Sequence, residues 1–536
     1  MKKNKKRITR TGVLLGIGMI VLIVCVFLYA FIFNYTNKAS VPSVIETAQE
    51  TVIAPAEAPE TQEPVIVPAE KPENVTVRDV PIKDKVHGIT EDKKIFLKWE
   101  LPVEDAILTI RNEDGNEYTE QVKGTDTYSF TNGVHGSFYV FDLHYKLNEE
   151  DFAVSVRRKF LDFDQLPSLM TLFINTEDGR DPYYERSSAK QEGLFGLTIE
   201  KNDFKNATIN KELPIQSKVR GNSSTYGPKK SYKIVLEEAK DMLDMGEEYA
   251  DKEWLLLGKS SVQTYLGFQI GLFAGMEWEP RMRFVNVMLN GDWKGLYVLC
   301  ESIKKHPKRV AIDEDGFLIE SDGYFWKEKN PVLDSNLLSN KVKFTFKYPK
   351  PTTKSDERFI AIEKRIQEIE YDINGWFEEE LADLIDFDIF ASWLLAHEIM
   401  GTSDGYGSNM FFYQKNFNKG TKLKMGPTWD FDTMFFEPNG GHSKFWTLNS
   451  VYFTRLLEFQ SFKDVFKEKF FAAAPIVEQK MRESLEKLKD IPGLKESMML
   501  DRFRARKGGN LDAEIDRLLR ILHDRIEVLS KTMQHI

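Results

Sequence analysis

Cysteine is nearly absent: two residues in 536, Cys25 and Cys300. Cys25 lies in an apolar run and Cys300 in an expected strand, so neither a disulfide framework nor a thiolate zinc site can be built. Positive charge is also in deficit. The formal net charge is −10, and no basic stripe occurs after the first ten residues, which argues against a nucleic-acid partner. Internal repeats are missing, as are a Walker loop and a Gly-rich loop of the G-x-G-x-x-G form, so no nucleotide pocket is marked by a glycine motif. Ala396-His397-Glu398-Ile399-Met400-Gly401 begins like a zinc-protease helix. Gly401 stands where the second histidine would be required, and no zinc site is expected there.

Long apolar runs are absent as well, with one exception. Lys2, Lys3, Lys5, Lys6, Arg7 and Arg10 precede an uncharged stretch over 11–33. At 1.5 Å per helical residue that stretch spans roughly 35 Å, enough to cross a bilayer with some tilt. A basic flank favours the cytoplasmic side. The reading is a single-pass anchor in a bacterial cell membrane, with 1–10 cytoplasmic and the bulk of the chain outside. A cleaved signal peptide has a shorter apolar region and a small-residue cleavage site, and no convincing site follows Phe33.

From 34 to 90 the composition changes. Seven of the 21 prolines fall within 41–90, where acids outnumber bases nine to four. Such a segment cannot bury a core and reads as an extended, disordered linker. Next, 91–162 carries strand-like runs at 95–99, 106–110 and 137–141, with a hairpin signal at Asn112-Glu113-Asp114-Gly115-Asn116. Short strands separated by turns suggest a small β-sandwich of fibronectin III or immunoglobulin style. It has no catalytic constellation, so a spacer or binding role is expected. The remainder, 163–536, is mixed. Strands are expected at 170–175, 231–236, 284–289, 296–300, 316–320 and 341–348. Helices are expected at 262–276, 360–384 and 387–399, and the part beyond 450 reads as helical, with 511–531 strongly amphipathic. The fold class is α+β.

The richest segment is Thr402-Ser403-Asp404-Gly405-Tyr406-Gly407-Ser408-Asn409, followed by Gly426-Pro427-Thr428-Trp429-Asp430-Phe431-Asp432. An Asp five residues before an Asn, then two more carboxylates, suits a magnesium-bound phosphate. Mg²⁺ takes a few hard oxygens from the protein and completes its shell with water and phosphate. Protein kinases use Asp-x-x-x-x-Asn and a later metal-binding Asp in this way. Carboxylates at i and i+2 of a strand point the same way, so Asp430 and Asp432 are expected to address one metal, unless Phe431 anchors a turn instead. Three further segments carry candidate groups. Val219-Arg220-Gly221-Asn222-Ser223-Ser224 with Lys229-Lys230-Ser231-Tyr232-Lys233-Ile234 offers amides and cations for phosphate. The same residues also fit a solvated loop and surface ion pairs. Leu289-Asn290-Gly291-Asp292 is a tight hairpin signal, and the strand after it closes on Glu301, which faces either a nucleotide or a plain ion-pair partner. Gly316-Phe317-Leu318-Ile319-Glu320-Ser321-Asp322 is a buried-looking strand ending in carboxylates.

Together and in this order, over roughly 166–436, these segments resemble the CotH family of spore-coat protein kinases. The match rests on Arg220-Gly221-Asn222-Ser223 with Lys230-Ser231-Tyr232-Lys233, on Asn290-Gly291 through Glu301, on Asp404-Gly405-Tyr406 with Asn409, and on Trp429-Asp430-Phe431-Asp432. The resemblance implies an atypical, two-lobed protein-kinase-like fold that binds ATP with Mg²⁺ or Mn²⁺. It implies Asp404 as the catalytic acid, Asn409, Asp430 and Asp432 as metal ligands, and Arg220, Lys233 and Glu301 as nucleotide contacts. The implied substrate is a Ser/Thr-rich surface or coat protein. The alternative is a catalytically silent kinase-like scaffold that organises envelope or coat components. Neither the substrate nor the oligomeric state is specified by the residues.

Overall fold

The computed structural model describes residues 86–103, 105–147, 150–182, 185–187, 198–201, 205–209, 213–221, 228–259, 261–339, 341–402, 407–431, 434–435, 450–501 and 509–534. The expected membrane span, 11–33, and the linker up to 85 lie outside them. Among the described residues no helix is long and apolar enough to cross a membrane.

The chain opens with seven strands: β1 (Val86–Glu91), β2 (Lys94–Val103), β3 (Ala106–Asn112), β4 (Glu117–Val122), β5 (Thr125–Phe130), β6 (Phe138–Leu147) and β7 (Glu150–Lys159). They form a three-stranded sheet β1-β2-β5 and a four-stranded sheet β4-β3-β6-β7. Alternation drives the packing: in β3, Ala106, Leu108 and Ile110 are buried while Ile107 is half exposed. The inward residues of both sheets share one core with Trp99, Phe130 and Phe141. The expected sandwich is therefore present, but it starts at Val86 rather than 91, because 86–91 pairs in register with 94–99.

Next comes a barrel. β8 (Thr171–Thr176) is followed by a two-stranded pair, β9 (Glu185–Ser187) and β10 (Thr198–Lys201), then by β11 (Lys205–Ile209), β12 (Leu213–Arg220), β13 (Ser231–Lys240) and β14 (Asp251–Leu257). Helix α1 (Ser261–Ala274) leads to β15 (Met282–Leu289) and β16 (Asp292–Glu301). The barrel order is β11-β12-β13-β14-β16-β15-β8, closed by antiparallel β8–β11 pairing. Asn290 and Gly291, at φ +51° and +71°, form the two-residue hairpin loop that their sequence signals. Inside are Ile215, Val219, Tyr232, Ile234, Trp254, Leu256, Val285 and Tyr297. Alternation sends Lys218 and Arg220 of β12, and Lys233 of β13, to the outside.

The rest is a sheet covered by helices. β17 (Phe317–Asp322), β18 (Lys343–Tyr348), β19 (Met410–Gln414) and β20 (Leu423–Met425) are ordered β18-β17-β19-β20. The helices are α2 (Glu357–Gly375), α3 (Glu378–Leu384), α4 (Phe387–Met400), α5 (Val451–Leu456), α6 (Gln460–Ala473), α7 (Val477–Glu486), α8 (Leu494–Leu500) and α9 (Leu511–Met533). The expected helix over 360–384 is two helices. Trp376 takes a left-handed conformation, its N–H bonds to Asp372 O, and the chain turns before restarting at Glu378. One large core joins α1, the outer barrel residues Leu255 and Val298, the sheet's apolar face and the C-terminal helices.

Candidate functional site

Two charged faces meet beside α1. The barrel supplies the first. Lys218 lies opposite Lys233 in the β12–β13 register, with Arg220 two residues further along the same face. Lys233 is held by Glu253 at 2.6 Å. Burial pushes the Glu253 carboxyl up, but Lys233 and Lys304 outweigh it and hold the group below its usual range. Burial and the neighbouring Lys233 lower the Lys218 ammonium.

The second face belongs to the four-stranded sheet. In β17, Ile319 and Ser321 turn to the helices, so Glu320 and Asp322 point the other way. Glu320 forms an ion pair with Lys347 of β18. Burial and the adjacent Glu320 push Asp322 up to about 6, although its Oδ1 accepts the Tyr324 N–H at 2.6 Å. Burial opposes the charge on Lys347, but Glu320, Asp322 and Glu328 raise it overall. The two faces act on each other: Lys350, just past β18, feels Lys233 and Glu253 of the barrel, and Lys218 feels Glu328.

Asn409 and Asp430 sit at this meeting. Asn409 enters β19 with its N–H bonded to Ser321 O at 3.0 Å, which sets it across from Asp322. Its side-chain amide donates to Asp430 Oδ2 at 3.3 Å. Both take left-handed backbone, at φ +60° and +65°, a conformation that Asn and Asp tolerate better than most residues. Asp430 is held on each side. Thr428 gives its N–H and hydroxyl to Glu279 Oε1, both at 2.9 Å. The Arg220 guanidinium lies 5.2 Å from the Trp429 ring centre, close enough for a cation–π contact. Phe431 packs edge-on against Phe268 of α1 at 5.1 Å, and Gln263 of α1 donates to Phe431 O at 2.6 Å and Met434 O at 3.0 Å.

Sequence expectation and structure can be compared group by group. Asn409 bonds Asp430 and Arg220 lies over the neighbouring Trp429, while Lys233 shares the barrel face of Arg220. Glu301 does not join them. It follows Cys300, which faces outward, and lies fully buried on the opposite side beside Trp254. Arg281 donates to it at 2.7 and 2.8 Å, and Arg309 at 3.2 Å. Of the two readings of Glu301, the structure shows the ion-pair partner. Asp430 does not lie on a strand. The strand ends at Met425, Asp430 is left-handed and Phe431 starts a turn. Asp404 and Asp432 lie outside the described residues. Sequence reasoning did not single out Lys218, Glu253 or Lys347. Their signal was the strand alternation that put Arg220 and Glu320 on the same faces.

The His397-Glu398 pair is structural. His397 is fully buried, stacked on Trp393 at 3.5 Å, and burial drives its pKa down to about 3. Glu398 pairs with the buried Arg525 at 2.8 Å.

The donors at the site, a carboxylate and a carboxamide whose nitrogen is turned to that carboxylate, are hard oxygens of the kind Mg²⁺ or Mn²⁺ takes. Cations on the barrel face suit a polyphosphate. The residues fit a metal–nucleotide.

Comparison with known proteins agrees with this chemistry. The family model described as CotH kinase protein matches residues 218–529. A search of curated proteins gives no match. Solved structures with some likeness include the fn3 domain of human collagen alpha-1(XX) chain, with 10% identity, 15% of this chain and 84% of that chain covered, and a TM-score of 0.13. A two-domain fibronectin type III segment from chicken tenascin shows 10% identity, covering 30% of this chain and 90% of that chain, at a TM-score of 0.13. The twitchin kinase region from C. elegans shows 8% identity, covering 49% of this chain and 48% of that chain, at a TM-score of 0.18. None of these TM-scores carries an argument about fold.

Proposed function

The chain belongs to the CotH kinase protein family, and from that premise we propose that it transfers the γ-phosphate of ATP to a Ser or Thr hydroxyl of a surface or spore-coat protein, with Mg²⁺ or Mn²⁺. The observation that carries this reading is the Asn409–Asp430 contact at 3.3 Å, facing the cations of the barrel. Asp430 and the Asn409 amide oxygen would hold the metal, and the family resemblance adds Asp432 as a third ligand. The bound metal offsets phosphate charge as it builds at transfer. Arg220 and Lys233 address phosphate oxygens, and Glu253 fixes the Lys233 ammonium so that little reorganisation is needed. Asp404 orients the acceptor hydroxyl and takes its proton as the oxygen bonds to the γ-phosphorus and the bond to the β–γ bridging oxygen breaks, releasing ADP. The chain contributes position and electrostatics, with no covalent intermediate.

On this reading the 11–33 segment anchors the chain in a bacterial cell membrane, with the bulk of the chain outside. This topology favours a second reading. Outside the cytoplasmic membrane ATP is scarce, and a silent scaffold for envelope or coat components needs none.

One experiment separates the two. The purified full chain and Asp430→Ala are incubated with γ-labelled ATP, Mg²⁺ or Mn²⁺ and a Ser/Thr-rich acceptor. Transfer by wild type that falls at least about a hundred-fold in the variant supports the kinase. Equal label from both removes Asp430 from its role. No transfer, with no thermal shift on adding metal and nucleotide, leaves the scaffold.

A further inference from the structure

A separate cavity of about 1090 Å³ lies beside the same segment. Its lining reaches Pro427 but includes neither Asn409 nor Asp430. Phe268 and Leu272 of α1, with Met276 and Met282 after it, give the cavity an apolar wall, and charged residues line the rest. Glu279 lines it too, although only 3% exposed. Gly271 of α1 makes room for that carboxyl, since a Cβ there would stand 2.2 Å from Glu279 Oε1. Oε1 accepts both bonds from Thr428, whereas Oε2 has no partner among the described residues, and neither has Trp278 Nε1 in the same lining.

Glu279 Oε2 and Trp278 Nε1 are buried in side chains of one cavity's lining, and each forfeits a hydrogen bond that a ligand group reaching it would supply. Their chemistry selects it. Burial raises the Glu279 carboxyl well above its usual range and only the two Thr428 hydrogen bonds oppose it, which favours the protonated form. Because Oε1 already takes two donors, the proton sits on Oε2. Oε2–H and Trp278 Nε1–H are then both donors. The acids of the rim are engaged: Glu277 by Lys424 and Tyr413, and Asp386 by Lys424 at 3.7 Å. Lys308, Lys415 and Lys422 add positive charge around the mouth.

We propose that this cavity binds a mainly apolar molecule through an oxygen acceptor, carbonyl or carboxylate, received by Glu279 and Trp278, and that its occupation bears on Asp430 through Thr428. An amine would demand an ionised Glu279 and would meet the basic rim. The effect on Asp430 rests on the proposed kinase reading; the binding does not.

The test is calorimetric titration of the full chain with three probes of one shape: 2-naphthoate, 2-acetonaphthone and 2-naphthylmethylamine. Saturable one-to-one binding of the acid or the ketone, and not of the amine, is expected. Leu272→Trp fills the cavity without touching Glu279 or Thr428 and should abolish it; Met282→Trp does the same from another wall if the first variant melts early. Glu279→Gln keeps a donor at the same atom and should stay within a few-fold, whereas Glu279→Met should weaken binding about ten-fold or more. Bound probe should slow amide hydrogen exchange over 426–431, a readout independent of phosphate transfer. Binding of the amine alone, of no probe, or of the acid equally to both filled variants would overturn the proposal. Loss of kinase activity in the transfer assay leaves the calorimetry standing, and the reverse holds too.

Discussion

Single residues at the site are distinguished by what surrounds them more than by what they are. Glu279, Glu301, Glu370 and Glu398 are all buried glutamates, yet Glu301 and Glu398 are met by guanidinium groups, while Glu370 receives Ser335 and Tyr452 hydroxyls. A linear motif does not carry that information, because the partners lie 8 to 149 residues away. Glu301 shows the consequence: its place at the end of a strand was legible, its face was not. His397 gives a quantitative case. Its ring is fully buried and neutral, with the folded pKa lowered from 6.5 to about 3. The unfolded chain therefore takes up a proton that the folded one refuses. The stability held above pH 6.5 is lost as pH falls through the window from 6.5 towards 3. Between pH 7 and pH 5 this linkage amounts to about 2 kcal/mol. Thermal melts at the two pH values should show that His397→Gln, though less stable at pH 7, loses correspondingly less on acidification. Parallel losses in both proteins would assign the acid sensitivity elsewhere.

At the scale of elements, α1 is what makes the candidate site one object. Its amphipathicity is weak because it is buried on nearly every side, between the barrel and the segment that carries Asp430. Gly267 is the closest approach: a Cβ there would stand 2.5 Å from the Phe431 ring. Gly267→Ala thus sets two effects against each other. A helical Gly-to-Ala change gains up to about 1 kcal/mol, and forcing Phe431 aside costs typically 1–3 kcal/mol. The melting temperature should move little, whereas phosphate transfer should fall about ten-fold, since Phe431 is bonded directly to Asp430. Wild-type transfer from a normally folded Gly267→Ala chain would show that α1 does not position Asp430. The elements themselves were largely legible. Strand-like runs marked β3, β13, β15 and β18, helices were expected over α1 and α4, an amphipathic pattern marked α9, and Asn290-Gly291 marked its hairpin. Closure of the barrel was not, because it depends on β8 pairing with β11 on one side and, in parallel, with β15 across more than a hundred residues of chain. Pairing at that separation has no local signature. Whether Phe431 anchors a turn was left open in the sequence for a related reason: Phe268 and Gln263, which hold it, come from far upstream.

On the scale of the molecule, the sandwich is docked, which an expectation of a spacer did not include. Ile89 of β1 joins Leu161, Phe173, Met288, Trp293 and Leu500 in one apolar cluster. The Thr90 N–H donates to Gly291 O at 2.8 Å, across the barrel hairpin, and the buried Lys159 bonds Leu500 O. Asp501, the next residue, pairs with Lys229 at 2.7 Å, and Lys229 also donates to Leu296 O at 2.6 Å. Burial lowers the Lys229 ammonium and Asp501 opposes the shift, so this pair is a true interior contact. A continuous set of contacts therefore runs from the sandwich through Leu500 and Asp501 to the barrel. Such an arrangement should unfold as a unit, since undocking would expose the Ile89 cluster and leave Lys159 without its acceptor. Ile89→Ala removes a side chain only 5% exposed, and the expected cost is about 3 kcal/mol. Differential scanning calorimetry of the full chain should show one main transition that moves down as a whole in the variant. If the sandwich instead melted in its own earlier transition, with the barrel's unchanged by Ile89→Ala, the interface would be a loose contact, and the sandwich would be free to bind elsewhere independently of the barrel.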